Sequence, residues 1–259
     1  MTVPAGAWQR DWIRRHGGPE DARVGVRYVQ TPSAFGDLRI PEDRPEMVAA
    51  GSLAALGDAQ LAALARQNGF AGVATMAGAT ATWHHEIDFQ PASGGVDSGR
   101  IEPAGEGRMF EHGLDESYVE SWSAIDRGGG FFAARVERAG KLDQLLVVAG
   151  RHFMYARARA VALPAGDSLT ELIERTHATR EAIIAWLDCE ISFGTVRGWQ
   201  IERSTLPWRQ GQALGFAARI AVDASGRPAP RDAGAGETWS FPVVELAQSE
   251  LRALFVERP

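Results

Sequence analysis

The chain writes one strand-and-helix plan twice. The segment Trp83-His84-His85-Glu86-Ile87-Asp88-Phe89 returns as Leu187-Asp188-Cys189-Glu190-Ile191-Ser192-Phe193. The stretch from Ile101-Glu102 to Phe110 and Gly113 returns as Ile201-Glu202 to Trp208 and Gly211. A helix-like stretch precedes the first segment of each copy. Self-similarity over this length predicts two copies of one domain, and it constrains the fold before any motif does. With 259 residues, each copy has ~130, enough to bury a real core.

Residues 24–31 alternate with period two, which predicts a strand, and residues 35–40 predict its return. Leu53, Leu56, Leu61 and Leu64 recur at helical spacing, so residues 52–67 are expected to form one helix closed by Asn68-Gly69. Strands are expected at 71–76, 79–90, 100–102, 108–111 and 117–123. Arg127-Gly128-Gly129-Gly130 reads as the junction between halves. In the second half a hairpin turns at Gly140-Lys141, and a strand spans 152–163. A helix follows to about Ala182, capped by Asp167-Ser168 with Glu171 completing a capping box. Further strands are expected at 185–194, 197–204, 207–210, 213–222 and 238–245, with a helix or tail at 248–257. Short antiparallel strands around an inserted helix predict an up-and-down barrel. The expectation is a mainly β chain of two barrels, residues 1–126 and 131–259; one large sandwich is the alternative.

Three stretches carry a family likeness: Phe35-Gly36-Asp37-Leu38-Arg39-Ile40; Asp97-Ser98-Gly99-Arg100-Ile101; and Glu111-His112-Gly113 followed by Tyr118-Val119-Glu120-Ser121-Trp122. On these the chain resembles the fungal Hri-one family. The resemblance implies two tandem antiparallel calycin-like (lipocalin-like) barrels. It covers most of the first half, while the second half matches only in layout. It implies no reaction, since calycins include carriers, enzymes and scaffolds.

Composition removes several function classes. A net charge of -6 argues against nucleic acid as a partner, because phosphate neutralisation needs a basic surface. The single cysteine, Cys189, cannot close an intramolecular disulfide and suits a reducing, cytoplasmic setting. No run approaches the ~20 apolar residues of a membrane span, and the N-terminus lacks the pattern of a signal peptide. No phosphate-binding loop, dinucleotide fingerprint or nucleophile elbow is present, so no cofactor is expected. His84-His85-Glu86 lacks a second His at helical spacing, and adjacent histidines on a strand point to opposite faces. No metal is expected.

The repeat allows an internal comparison. Aligning Glu86 with Glu190 sets Trp83, His85, Ile87 and Phe89 opposite Leu187, Cys189, Ile191 and Phe193. That phase is apolar in both copies and is expected to face inward; a one-residue bulge would invert it. His85 then stands in the first barrel where the second has Cys189. Matching Phe110 with Trp208 sets His112 opposite Gln210, and Gln30 shares a phase with Val26 and Tyr28. The first barrel therefore reads as the more polar inside, the usual form of a ligand site. Trp83 and Trp122 are expected beside the ligand. Gln30, His85 and His112 would orient it, with Tyr118 and Glu120 around the same lumen. Asp37 and Arg39 share a face and either meet ligand charge or pair with each other; Arg157 in the second copy favours the pair. The leading expectation is a small apolar or amphipathic molecule bound in the first barrel. One alternative is a cofactor-independent lyase, isomerase or cyclase using His85 or His112 as acid and base. The other is a protein-interaction scaffold. A lone His on an apolar strand face also has a plain reading, as a hydrogen-bonded core residue.

Overall fold

Nine strands of the first half form one antiparallel sheet: β1 (Gly6–Arg15), β2 (Glu20–Asp21), β3 (Val24–Gln30), β4 (Ala34–Pro41), β5 (Asn68–Ala77), β6 (Thr80–Asp88), β7 (Asp97–Pro103), β8 (Arg108–Gly113) and β9 (Tyr118–Asp126). The computed structural model describes residues 4–92 and 94–255. The strands from β3 to β9 follow one another in space, and β9 returns along β1, from Ala7 opposite Asp126 to Arg15 opposite Tyr118. The result is a closed eight-strand antiparallel barrel, with β2 a two-residue addition on β1.

The second sheet runs β14 (Gln200–Ser204), β13 (Glu190–Thr195), β12 (His152–Arg157), β11 (Lys141–Ala149), β10 (Phe131–Arg138), β17 (Glu237–Glu245). It is barrel-like, but among the described residues no ladder joins β14 to β17. Helix α4 (Gln248–Phe255) and the 3-10 turn Gly215–Arg219 supply apolar groups to its concave side: Leu251 and Phe255 from the helix, Phe216 from the turn. The pair β15 (Ile220–Val222) and β16 (Pro228–Pro230) stands apart as a two-stranded sheet. No helix among the described residues is long and apolar enough to cross a membrane.

The expected helix at 52–67 is broken. Leu53–Ala55 is a 3-10 turn, Leu56 and Gly57 are extended, and α1 begins only at Asp58 and ends at Ala65. Gln60 Oε1 accepts from the Gly57 amide at 2.9 Å, which fixes that start. In the second half Ser168 caps as expected, its Oγ accepting from the Glu171 amide at 3.0 Å. The helix that it starts, α2 (Leu169–Thr176), stops at His177 in the left-handed region, φ 47°. Thr179 then caps α3 (Arg180–Leu187). Residues 185–187 are therefore helix, not strand. The strands expected at 207–210 and 213–222 are largely 3-10 turns, Pro207–Arg209 and Gly215–Arg219. The strand expected over 152–163 stops at Arg157. Residues 1–3, within the N-terminal reading, and Val256 and Glu257, within the terminal-helix reading, lie outside the described residues.

Helix placement resets the comparison between halves. Apart from the two-residue β2, three strands precede the helical insert in each, so β5 corresponds to β13 and β6 to β14. The segment at Trp83 is thus one strand later in its copy than the segment at Cys189. Both hairpins carry a bulge at the same place. Ala71 pairs with Ile87 but Gly72 with His85, skipping Glu86; Phe193 pairs with Arg203 but Gly194 with Ile201, skipping Glu202. The counterpart of His85 is Ile201, which is fully buried. Cys189 lies just before β13, its side chain in the core between the sheets.

The first bulge flips the side-chain phase of β6. Trp83 and His85 face the barrel interior, while Ile87 and Phe89 join the core between the two sheets. The skipped Glu86 reaches the other half, where Arg135 donates to both its oxygens at 2.7 Å. Ile191 and Phe193, expected to face the second lumen, also belong to that shared core. Glycine is required at the bulge: a Cβ on Gly72 would lie 2.1 Å from the His84 carbonyl oxygen, and one on Gly194 2.0 Å from that of Gln200.

Gly72→Ala is expected to cost at least about 2 kcal/mol in urea denaturation, since the contact is with backbone and cannot yield cheaply. Gly129→Ala, where a Cβ meets nothing within 4 Å, should change stability by less than ~0.5 kcal/mol. An equally small loss at Gly72 would mean that the bulge does not depend on that contact.

Candidate functional site

Alternation along the strands of the first barrel sends Tyr28, Asp37, Arg39, Phe70, Trp83, Ile101, Met109, Glu111 and Trp122 inward. Trp8 and Phe35 complete the filling. These side chains leave a cavity of about 20 Å³, room for about one water. The lumen expected to hold the ligand is therefore almost filled. The larger space is a cleft of about 1110 Å³ at one mouth, where β4, β6 and β8 end and β5, β7 and β9 begin. Ile13, Phe70 and Trp83 give it an apolar wall; Arg39, His85, Asp97, Glu111, Tyr118 and Glu120 give it a polar one.

The polar side chains of this mouth form linked pairs. Arg39 binds Asp37 through two bonds, 2.8 and 3.2 Å. Burial lifts Asp37 above its ordinary range despite that guanidinium. Burial pulls Arg39 down, but Asp37 and Glu120 outweigh it and hold the group firmly cationic. Arg10 NH1 donates to Glu120 Oε1, an ion pair almost wholly out of solvent. His85 lies flat on Phe70, centroids 4.0 Å apart, with Nδ1 2.7 Å from Asp88 and Nε2 3.0 Å from Asp97. Burial pulls His85 down, but the two carboxylates prevail and raise it to about 9. At neutral pH it is an imidazolium with both N–H groups engaged.

Glu111 and Glu120 sit directly across the β8–β9 ladder. Burial first, and Glu120 second, push Glu111 up to about 8. Its Oε1 accepts from the Tyr118 hydroxyl at 2.8 Å. Glu120 Oε2 and Trp122 Nε1 are buried and have no hydrogen-bond partner among the described residues.

Of the residues singled out in the sequence, Arg39, Trp83, His85, Tyr118 and Glu120 line this mouth, and Asp37 and Trp122 line the small cavity inside the barrel. Gln30 stands behind them. Trp83 Nε1 donates to the Tyr28 hydroxyl at 2.9 Å, and that hydroxyl donates to Gln30 Oε1. Gln30 thus orients Tyr28 and Trp83 rather than touching the cleft. His112 is not in the lumen. Met109 and Glu111 take the inward positions of β8, so Phe110 and His112 face outward. Phe110 packs beside Trp12, and His112 Nε2 lies 3.1 Å from the half-exposed Glu102 carboxylate. The inward reading came from Trp208, which lies in a 3-10 turn and has no strand phase to lend.

Arg10, Asp88, Asp97 and Glu111 were missed. Glu111 and Asp97 both stand in the stretches that carry the family likeness, and Glu111 shares a phase with apolar Met109. Arg10 had no assigned phase, because residues 8–15 read either as a short entry strand or as a helical turn. Among the described residues no group of three or more His, Cys, Asp or Glu side chains is arranged to hold a metal ion.

No family model matches the sequence, and no curated protein matches it. The crystal structure of the uncharacterized protein YLR301w from Saccharomyces cerevisiae superposes with a TM-score of 0.54, covering 94% of this chain and all of that one at 13% identity. The likeness is one of fold, along nearly the whole chain. An uncharacterized protein from Bacteroides eggerthii covers 48% of this chain at 10% identity; its TM-score of 0.30 carries no argument.

Two of the raised groups, Glu111 and His85, make a signed prediction. Glu111 favours its neutral form in the fold, so its contribution is complete below 4.5 and lost as pH rises through about 8. That of His85 is complete below 6.5 and lost as pH rises through about 9. Both erode stability in the alkaline direction. Denaturation of Glu111→Gln against wild type should show the variant gaining relative stability between pH 4.5 and 8. A pH-independent difference would contradict the assignment.

Proposed function

We propose that this chain binds a small amphipathic molecule at the mouth of its first barrel. One observation carries the reading: a buried carboxylate oxygen, Glu120 Oε2, has no hydrogen-bond partner among the described residues, on a residue that borders a roomy cleft with an apolar wall. Ligand sites combine apolar walls with a few convergent polar groups in this way, and a buried acceptor without a donor is costly until something supplies one. The sequence reading placed the ligand in the lumen; the mouth offers more room.

The two halves are, on this proposal, tandem calycin-like barrels, the second completed by 3-10 turns and α4 in place of a full ladder. The likeness to the fungal Hri-one family remains a proposal resting on the three stretches that carry it. A cytoplasmic setting agrees with the buried free thiol of Cys189. The acid–base alternative now leans on Glu111, a carboxyl held protonated near neutrality, as general acids are. His85 has both nitrogens engaged, and His112 is outside.

Tryptophan fluorescence titration against alkyl and aromatic amphiphiles tests the binding reading. A saturable change is expected, and Trp83→Leu should weaken it roughly two- to tenfold, the worth of an aromatic contact. Trp208→Phe, in the second half, should leave it unchanged. Absence of any saturable change across the panel would contradict the proposal.

A further inference from the structure

The ladder that sets Glu111 against Glu120 brings two carboxyl groups together with no cation seated between them among the described residues. The two are directly opposed on one inner face and are both buried, 7% and 2% exposed. Like charges so placed repel. The cations nearest the two glutamates are already engaged. Arg39 is bidentate on Asp37 and reaches Glu120 only at 4.0 Å. Arg10 holds Glu120 Oε1, and His85 is shared by Asp88 and Asp97. Glu111 receives the Tyr118 hydroxyl at 2.8 Å, a neutral donor, and Glu120 Oε2 receives nothing among the described residues. Arg15 and Arg66 also border the cleft, but among the described residues neither pairs with Glu111 or Glu120. Glu111 and Glu120 Oε2 are thus left without a cation, a pair of acceptors that suits one positive charge bringing hydrogen-bond donors.

We propose that the ligand of the first barrel is an amphipathic organic monocation, its primary ammonium seated between Glu111 and Glu120 and its apolar part against Trp83 and Ile13. The inference rests on the binding reading above and adds the ligand's charge. An ammonium has three donors and no acceptor, so it can serve both carboxylates at once, and charge-assisted bonds of this kind are about twice as strong as neutral ones. The apolar wall beside the carboxylates favours an organic cation over a bare metal ion. Binding also settles a proton. Glu111, facing Asp97, Arg39, Tyr118 and Glu120 and standing near Arg10, Asp37 and His85, gives up its proton when the ammonium arrives. Affinity therefore rises with pH until Glu111 is ionised without help.

The test uses three probes of one chain length: octylamine, octanol and octanoate, titrated into the full chain by calorimetry at neutral pH. Octylamine is expected to bind at least about tenfold more tightly than octanol, with octanoate weakest. Glu111→Gln, which strips no cation of its partner, should narrow the amine-to-alcohol ratio to within about threefold. Glu120→Gln should do the same if its melting curve shows a folded protein; if it unfolds, Glu111→Gln decides. Equal affinities for amine and alcohol would overturn the cation assignment while leaving the binding reading intact. Failure of all three probes would overturn both. Displacement of octylamine by millimolar magnesium chloride at matched ionic strength would also overturn it, because the carboxylates would then be serving a metal.

Discussion

Two sheets pressed back to back hold this molecule together. The outer faces of β3 to β6 and of β11 to β13 meet in one core, with Leu38, Ile87 and Phe89 on one side and Val147, Met154, Ile191 and Phe193 on the other. The approach is close. A Cβ on Gly36 would lie 2.4 Å from Met154 Cγ, and one on Gly69 2.9 Å from Ile191 Cδ1. Helices α1, α2 and α3 close the sides of this core through Leu61, Leu64, Leu169 and Leu187. Because burial of apolar surface is the main driving force, the strongest apolar phase of several strands belongs between the sheets and not inside a barrel.

That constraint explains what could be read from the sequence and what could not. The hairpin at Gly140 and the Ser168 cap rest on local chemistry, and both have counterparts in the fold. The inward phase did not follow, because an apolar strand face says only that it is buried, not in which core. Ile191 and Phe193 are buried as their pattern requires, but outside the second lumen. The single skipped residue Glu86 then divides β6 between two cores. Ile183, Ile184 and Trp186 favour strands by composition, yet Thr179 caps them into α3. Pro207 and Trp208, aligned by likeness to a strand, turn as a 3-10 helix.

The candidate site was legible as a set of residue types more than as a geometry. The polar contrast between the halves survives the corrected comparison: His85 stands where the other copy has Ile201, and Asp37 where it has Tyr155. His112 left the set because its phase was borrowed, and Glu111 entered because β8 places it across from Glu120. The mouth is where the first barrel stops being filled by aromatic side chains and keeps its charges. Buried ion pairs contribute little net stability, and the proposed binding rests on this cluster.

Cys189 offers a direct probe of the shared core. Its side chain is fully buried between the sheets, and burial, only partly offset by Arg159, pushes the thiol up to about 11. Thiol labelling can therefore be followed across a denaturant series in the unmodified chain. If the two sheets are one cooperative unit, Cys189 reacts only through global unfolding, and the free energy from labelling equals that from denaturation. Labelling at a markedly lower free energy, with the tryptophan signal of the first barrel still native, would show that the halves separate on their own and would contradict the account.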